Sequence, residues 1–121
     1  MQRTYIKDLS EKIGKEVSIS GWVDIRRDQG KLIFFDFRDI TGRIQGVILP
    51  NAKDAHIVGS TLRPEWVVEV KGKVNARPEK NVQKDKMNGE IELEILEIKG
   101  SGRAKELPFP NNEDVNIDIH L

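Results

Sequence analysis

The sequence has no cysteine, so neither disulfide staples nor thiolate metal sites are available to it. Its two histidines, His56 and His120, lie far apart and make a poor metal set. No apolar run approaches the roughly 20 residues that cross a bilayer. The first residues, MQRTYIKDLSEK, lack the apolar segment of a secretory signal. A cytoplasmic chain without membrane contact is the expectation. Glycine-rich phosphate loops of P-loop or dinucleotide form, a nucleophile elbow and metal-ligand spacings are missing too, so no catalytic set emerges.

Net charge is also lacking. Lysine and arginine number 20, and aspartate and glutamate also number 20. That balance argues weakly against a polyanionic partner, because such domains are usually basic. The distribution changes the reading. Residues 106–121 carry Glu106, Glu113, Asp114 and Asp118 and no Lys or Arg. The body before them therefore has a surplus of four positive charges, and body and tail are expected to do different jobs.

What is present fits one modest domain: 121 residues, 37% of them hydrophobic and 33% charged. Tyr5, Ile6, Leu9 and Ile13 are spaced for a short helix or turn that Gly14 ends. Residues 16–27 alternate, with Val17, Ile19, Val23 and Ile25 on the inner parity. Gly21 falls on that same parity, where a glycine marks a bulge or sharp coil. After a turn at Asp28-Gln29-Gly30, residues 32–40 alternate again. Ile33, Phe35 and Phe37 point inward, and Phe34, Asp36 and Arg38 point out. A turn at Thr41-Gly42 makes a hairpin with residues 43–49, where Ile44 and Ile48 point inward and Arg43 and Gln45 outward. Asp36 and Asp39 fall on opposite sides of their strand, which suits a rim ion pair and a turn cap rather than an acid–base pair.

Residues 52–62 have Ala55, Ile57, Val58 and Leu62 at near-helical spacing, with Gly59 as a blemish. Residues 66–77 form a fourth strand, with Val68, Val70, Val74 and Ala76 inward. Residues 78–89 are a long polar loop. Residues 90–98 form a fifth strand, whose alternation slips at Leu96 and so predicts a bulge. Three strands, a short helix and two more strands predict an all-β fold, the five-stranded Greek-key OB barrel with a helix between its third and fourth strands. The barrel is expected over residues 1–105. Residues 106–121, which include LPFP, read as the start of an extended linker.

The OB barrel binds oligonucleotides on the outer face of its second and third strands. Phe34 and Gln45 fall there by parity alone. Phe34 suits stacking on an unpaired base, worth roughly 1–3 kcal/mol per base. Its bland alternative is a surface ring under a loop, or alternation misread by one residue. Gln45 offers both a donor and an acceptor to a base edge. Arg26 and Arg27 read either as ordinary rim charges or, with Arg77, Lys80, Lys84 and Lys86, as a phosphate rim that positions a strand without reading it. Glu92 is the telling acid, since a carboxylate on a phosphate-binding face costs affinity. It can accept from cytosine's amine or from guanine N1 and N2. Its alternative is a solvated strand face between Glu90 and Glu94.

At these residues the sequence resembles the N-terminal anticodon-binding domain of bacterial-type aspartyl-tRNA synthetases. The likeness covers nearly the whole chain. It rests on GWVDIRRDQGKLIFFDFRDITGRIQ at 21–45, ARPEKN at 76–81, NGEIE at 88–92 and the LPFP exit. Lysyl- and asparaginyl-tRNA synthetases share the barrel and part of this pattern, and their OB domains are the close alternatives. The resemblance implies that Phe34 stacks on the middle anticodon base, a uridine, and that Gln45 hydrogen-bonds it. It implies that Glu92 reads a flanking base, and that Arg27 and Arg77 contact bases or backbone of the loop. Gln29 lies near the bases that separate tRNA-Asp from tRNA-Asn, and it matches neither residue associated with each class.

The resemblance further implies a parent that is an aspartate–tRNA ligase, usually a homodimer, with ATP and magnesium bound by a separate catalytic domain. The chain itself would be a fragment that needs no cofactor and is inactive alone. A stand-alone single-strand-binding OB protein and a peptide-binding barrel are the competing readings.

Overall fold

The computed structural model describes residues 2–103, with side chains described through residue 100. Five strands, β1 (Glu16–Gln29), β2 (Leu32–Asp39), β3 (Gly42–Ile48), β4 (Trp66–Ala76) and β5 (Ile91–Arg103), close into a barrel in the order β1-β2-β3-β5-β4. A short α1 (Lys53–Gly59) joins β3 to β4. This is the expected Greek-key OB architecture. The neighbouring pairs are antiparallel except β3 with β5, which run parallel and share two register pairs, Gly46 with Leu93 and Val47 with Glu94. The expected linker at residues 106–121 lies outside the described residues.

β1 is long enough to serve two neighbours. Its first half pairs with β4 and its second with β2, and Trp22 belongs to both ladders. Gly21 stands where that change of partner occurs. A Cβ there would lie 2.1 Å from the Arg38 carbonyl oxygen, a backbone atom that cannot step aside. The sequence expectation of a coil at Gly21 therefore has a packing cause. The register shift itself comes slightly later, between Val23 and Ile25.

That shift overturns one expectation. Alternation read straight through β1 sends Ile25 inward and Arg26 outward. The extra residue at Asp24 reverses the parity beyond it. Ile25 is 45% exposed, whereas Val17, Ile19 and Val23 are buried. Arg26 turns to the inner side and Arg27 to the outer one. The bulge expected at Leu96 is present. Lys71 pairs with Glu97 and Gly72 with Ile95, so Leu96 is skipped and exposed. β5 continues through Gly100 to Arg103, beyond its expected end at residue 98.

The core is filled from every strand. Ile33, Phe35 and Phe37 of β2 are buried, and the two rings stack with centroids 5.2 Å apart. α1 seals the end of the barrel where Ile33 faces Ile48. It is shorter than the expected 52–62 span, and Ile57 points to solvent at 68% exposure. Gly59 has a packing role: a Cβ there would meet Ile48 Cδ1 at 2.5 Å, so a larger residue would make that side-chain tip move.

The opposite end is covered by a 3-10 helix, Ile6–Lys12, which buries Ile6 and Leu9. Asp39 ties it down. Its Oδ2 accepts from the Ile6 N–H at 3.0 Å, and its Oδ1 accepts from the Thr41 and Gly42 N–H groups at 2.7 and 3.1 Å. Asp39 is thus the turn cap expected of it, and Asp36 is ion-paired to Arg43 at 2.6 Å.

Candidate nucleic-acid interface

The outer face of β2 and β3 carries the residues singled out by alternation, but much of it is not open. Arg43, Gln45 and Val47 point outward from β3 and are still at most 7% exposed. Exposure was expected for Arg43 and Gln45. Residues 78–89 fold back over Arg43, and Glu92 of β5 closes on Gln45. Arg43 Nη1 donates to the Met87 carbonyl at 3.2 Å, and Asn88 Nδ2 donates to the carbonyls of Arg43 and Ile6 at 2.8 and 3.2 Å. Asn88 adopts a left-handed backbone (φ 58°), a conformation asparagine tolerates better than most side chains.

Between this loop and the β1–β2 turn lies an open cleft of about 400 Å³. Arg27, Gln29, Phe34, Gln45, Arg77 and Glu92 all line it. Six of the seven residues proposed from sequence are thereby brought together, although five come from four strands, Arg77 follows the end of β4, and together they span 66 positions of the chain. Register explains the assembly. Arg27 is opposite Phe34 and, after the Asp24 bulge, on the same face. Its guanidinium carbon lies 5.8 Å from the Phe34 ring centroid, a cation–π distance. Gln45 and Glu92 meet across the β3–β5 seam.

A chain of polar contacts fixes the cleft floor. Gln45 Nε2 donates to Glu92 Oε2 at 3.1 Å. With the nitrogen committed to a carboxylate, the Gln45 carbonyl oxygen is the atom left to accept from a ligand. Arg77 Nε donates to the Ile91 carbonyl at 3.2 Å, and its Nη2 lies 3.8 Å from Glu92 Oε2, within charge attraction but beyond a hydrogen bond. Glu92 therefore spends one oxygen on protein partners and retains the other. The floor offers acceptors at Gln45 and Glu92, a donor at Arg77, and an apolar plane at Phe34.

Arg26 is the exception. It stands on the inner side of the bulged strand, with its side chain 15% exposed. Its Nε donates to the Gly59 carbonyl and its Nη2 to the Ser60 carbonyl, each at 3.1 Å. Nη2 also pairs with Asp28 at 2.8 Å. A cation on the last carbonyls of α1 satisfies groups that the helix leaves unpaired. Arg26 thus holds the helix in place and does not line the cleft. Arg26→Ala is expected to lower stability by about 1–3 kcal/mol while leaving RNA affinity of the folded chain unaltered. Denaturant melts run beside binding titrations check both halves. Lys80 and Lys84 are exposed beside the cleft without lining it, and Lys86 lines a neighbouring opening instead.

Sequence reasoning missed five further lining residues, three of them polar: Asn75, Asn81 and Gln83. Asn75 was legible as outward on β4. It sits opposite Glu92 in register and donates to Glu94 Oε1 at 3.2 Å. Nothing local marks Gln83, because its place depends on how the loop folds. The neighbouring opening, lined by Ile25, Arg38, Arg43 and Met87 among others, has its arginines paired with Asp24 at 2.8 Å and Asp36 at 2.6 Å. Those charges are compensated, which leaves the Phe34 cleft as the better seat for an anionic strand.

A five-stranded closed barrel with an aromatic and polar cleft on β2 and β3 defines an oligonucleotide-binding module. Residues 17–99 match the family described as the OB-fold nucleic acid binding domain, and the chain belongs to that family. Across its full length it is 42% identical, over 124 residues, to an aspartate–tRNA(Asp/Asn) ligase of Campylobacter concisus, of which it covers 21%. Over 94% of its length it is 39% identical to an aspartate–tRNA ligase of Lysinibacillus sphaericus, covering 20% of that protein. The asparaginyl-tRNA synthetase of Pyrococcus horikoshii superposes with a TM-score of 0.71 at 28% identity, over 93% of this chain and 26% of that one. The resemblance read from residues 21–45 is borne out. The chain spans about a fifth of the length of the curated relatives it matches.

Proposed function

We propose that this chain is the anticodon-reading part of an aspartate–tRNA ligase and that the Phe34 cleft receives the anticodon loop of tRNA-Asp. The convergence of Arg27, Phe34, Gln45, Arg77 and Glu92 on one open cleft carries this reading. Phe34 stacks on the middle anticodon base. The Gln45 carbonyl accepts from that base's N3–H, which a uridine supplies. Glu92 accepts from a flanking base through its uncommitted oxygen. Arg27 stays within reach of the stacked base and its phosphate, and Gln29 at the turn contacts the loop's edge. Arg77 donates to a base while its charge, 3.8 Å from Glu92 Oε2, holds that carboxylate toward the cleft.

The parent enzyme, in this reading, joins aspartate to tRNA with ATP and magnesium, works in the cytoplasm and forms a homodimer. Residues 1–105 are its OB domain, and residues 106–121 are the start of its linker. Among the described residues no group of three or more His, Asp or Glu is placed to hold a metal ion. No described helix is long and apolar enough to cross a membrane.

The test is a binding titration of the chain against anticodon stem-loops that differ only in the three anticodon letters. Preference for GUC supports the reading, and equal affinity for all loops rejects it. Comparing GUC with GUU separates a parent restricted to tRNA-Asp from one that also takes tRNA-Asn, the dual activity named for the Campylobacter relative. Glu92→Gln is expected to relax discrimination at one flanking letter by about 1–3 kcal/mol, more than it weakens overall binding. Equal losses across all loop sequences reject the role given to Glu92.

A further inference from the structure

Two residues that line the cleft each hold a buried polar side-chain atom with no hydrogen-bond partner among the described residues: the Gln83 carbonyl oxygen Oε1 and the Arg77 nitrogen Nη2. Arg77 has no easy escape, because its side chain is only 10% exposed and its Nε is held by the Ile91 carbonyl. The Gln83 backbone is likewise engaged. Its N–H donates to the Gly89 carbonyl at 3.0 Å, and its carbonyl accepts from the Lys86 N–H at 3.1 Å. The loop fold, not a bond of its own, puts the Gln83 side chain there. A buried acceptor without a donor costs the folded chain stability, and such atoms are few in folded proteins. An orphan acceptor and an orphan donor in one binding cleft are what a nucleobase edge answers, since it sets an N–H beside a carbonyl or ring nitrogen.

We infer that Gln83 is a specificity-determining residue of this cleft. Its Oε1 accepts from an N–H on the Watson–Crick edge of an unpaired base, and Arg77 Nη2 donates to an acceptor on that same base. This inference rests on reading the cleft as an anticodon site. Rotation of the last side-chain torsions turns the Gln83 carbonyl into the cleft without disturbing the backbone bonds that hold the loop. The bound base supplies the partner that the free chain lacks, so the residue weakens the empty protein and strengthens the complex.

That opposition of signs is the test. Gln83→Met keeps the length of the side chain and removes its hydrogen bonding. Its melting temperature is expected to hold or rise, while affinity for a GUC stem-loop falls by about tenfold, equivalent to about 1.4 kcal/mol. Titrations against stem-loops made abasic at one anticodon letter at a time then form cycles with the substitution. One letter is expected to couple to Gln83 by about tenfold, and the other two are not. Gln83→Glu retains the acceptor and is expected to retain the preference at that letter. Absence of coupling at every letter, or a Met variant that loses stability and binding together with no letter preference, overturns the inference. Phe34→Ala run alongside separates the two levels. If it weakens binding while Gln83 couples to nothing, only the role of Gln83 falls. If it too leaves binding unchanged, the anticodon reading falls with it.

Discussion

Gly21→Ala is expected to destabilise the barrel by about 3 kcal/mol or more, at or beyond the upper end of overpacking substitutions. The added methyl would sit 2.1 Å from the Arg38 carbonyl oxygen and 3.0 Å from its carbon. Both are backbone atoms of β2, so relief requires the strands to part. Trp22, the next residue, is paired to both β2 and β4, and separation there breaks two ladders at once. Against a typical stability of about 5–15 kcal/mol, such a loss is large. Urea denaturation followed by circular dichroism measures it. An unchanged midpoint would show that β1 and β2 do not approach this closely at Gly21.

Phe34→Ala is expected to do the reverse: leave the fold alone and cost binding. The ring is only partly covered and faces away from the core that Phe35 and Phe37 fill. Its loss should shift the melting transition little. One lost stack weakens affinity for the anticodon stem-loop by about 1–3 kcal/mol, roughly five- to hundredfold. Arg27 loses the ring it rests against in the same substitution, so the measured loss reports the pair and not the ring alone. Fluorescence titration with a labelled stem-loop, paired with a thermal melt, checks both parts. A variant that melts early would place Phe34 among the structural residues.

The contrast between these glycine and phenylalanine sites shows what alternation can reveal. In β2 the pattern runs unbroken from Ile33 to Arg38, so the inner and outer rows were legible residue by residue. The Leu96 bulge was legible because it left two apolar residues adjacent. The Asp24 bulge was not, because Ile25 happens to continue the apolar pattern that the bulge interrupts. That one hidden residue misplaced Arg26 and obscured why Arg27 shares a face with Phe34. The covering of Gln45 and Arg43 was illegible for a different reason. For Arg43 it depends on residues 78–89, some forty positions away, whose course is set by Asn88 and Met87 contacts across the fold, and for Gln45 on Glu92 of β5. Gly59 looked like a helix defect because its reason, the nearness of Ile48, is tertiary. The cleft's membership was readable for residues on regular strands. Gln83, on an irregular segment, was not.

The parallel contact between β3 and β5 is the shortest joint in the barrel, with two register pairs, and the Gln45–Glu92 bond spans it on the outside. An RNA loop gripping both residues would act as a clasp across that joint. Occupation of the cleft would then brace a cylinder that is already closed, with the nucleic acid serving as an extra staple where the protein has fewest of its own.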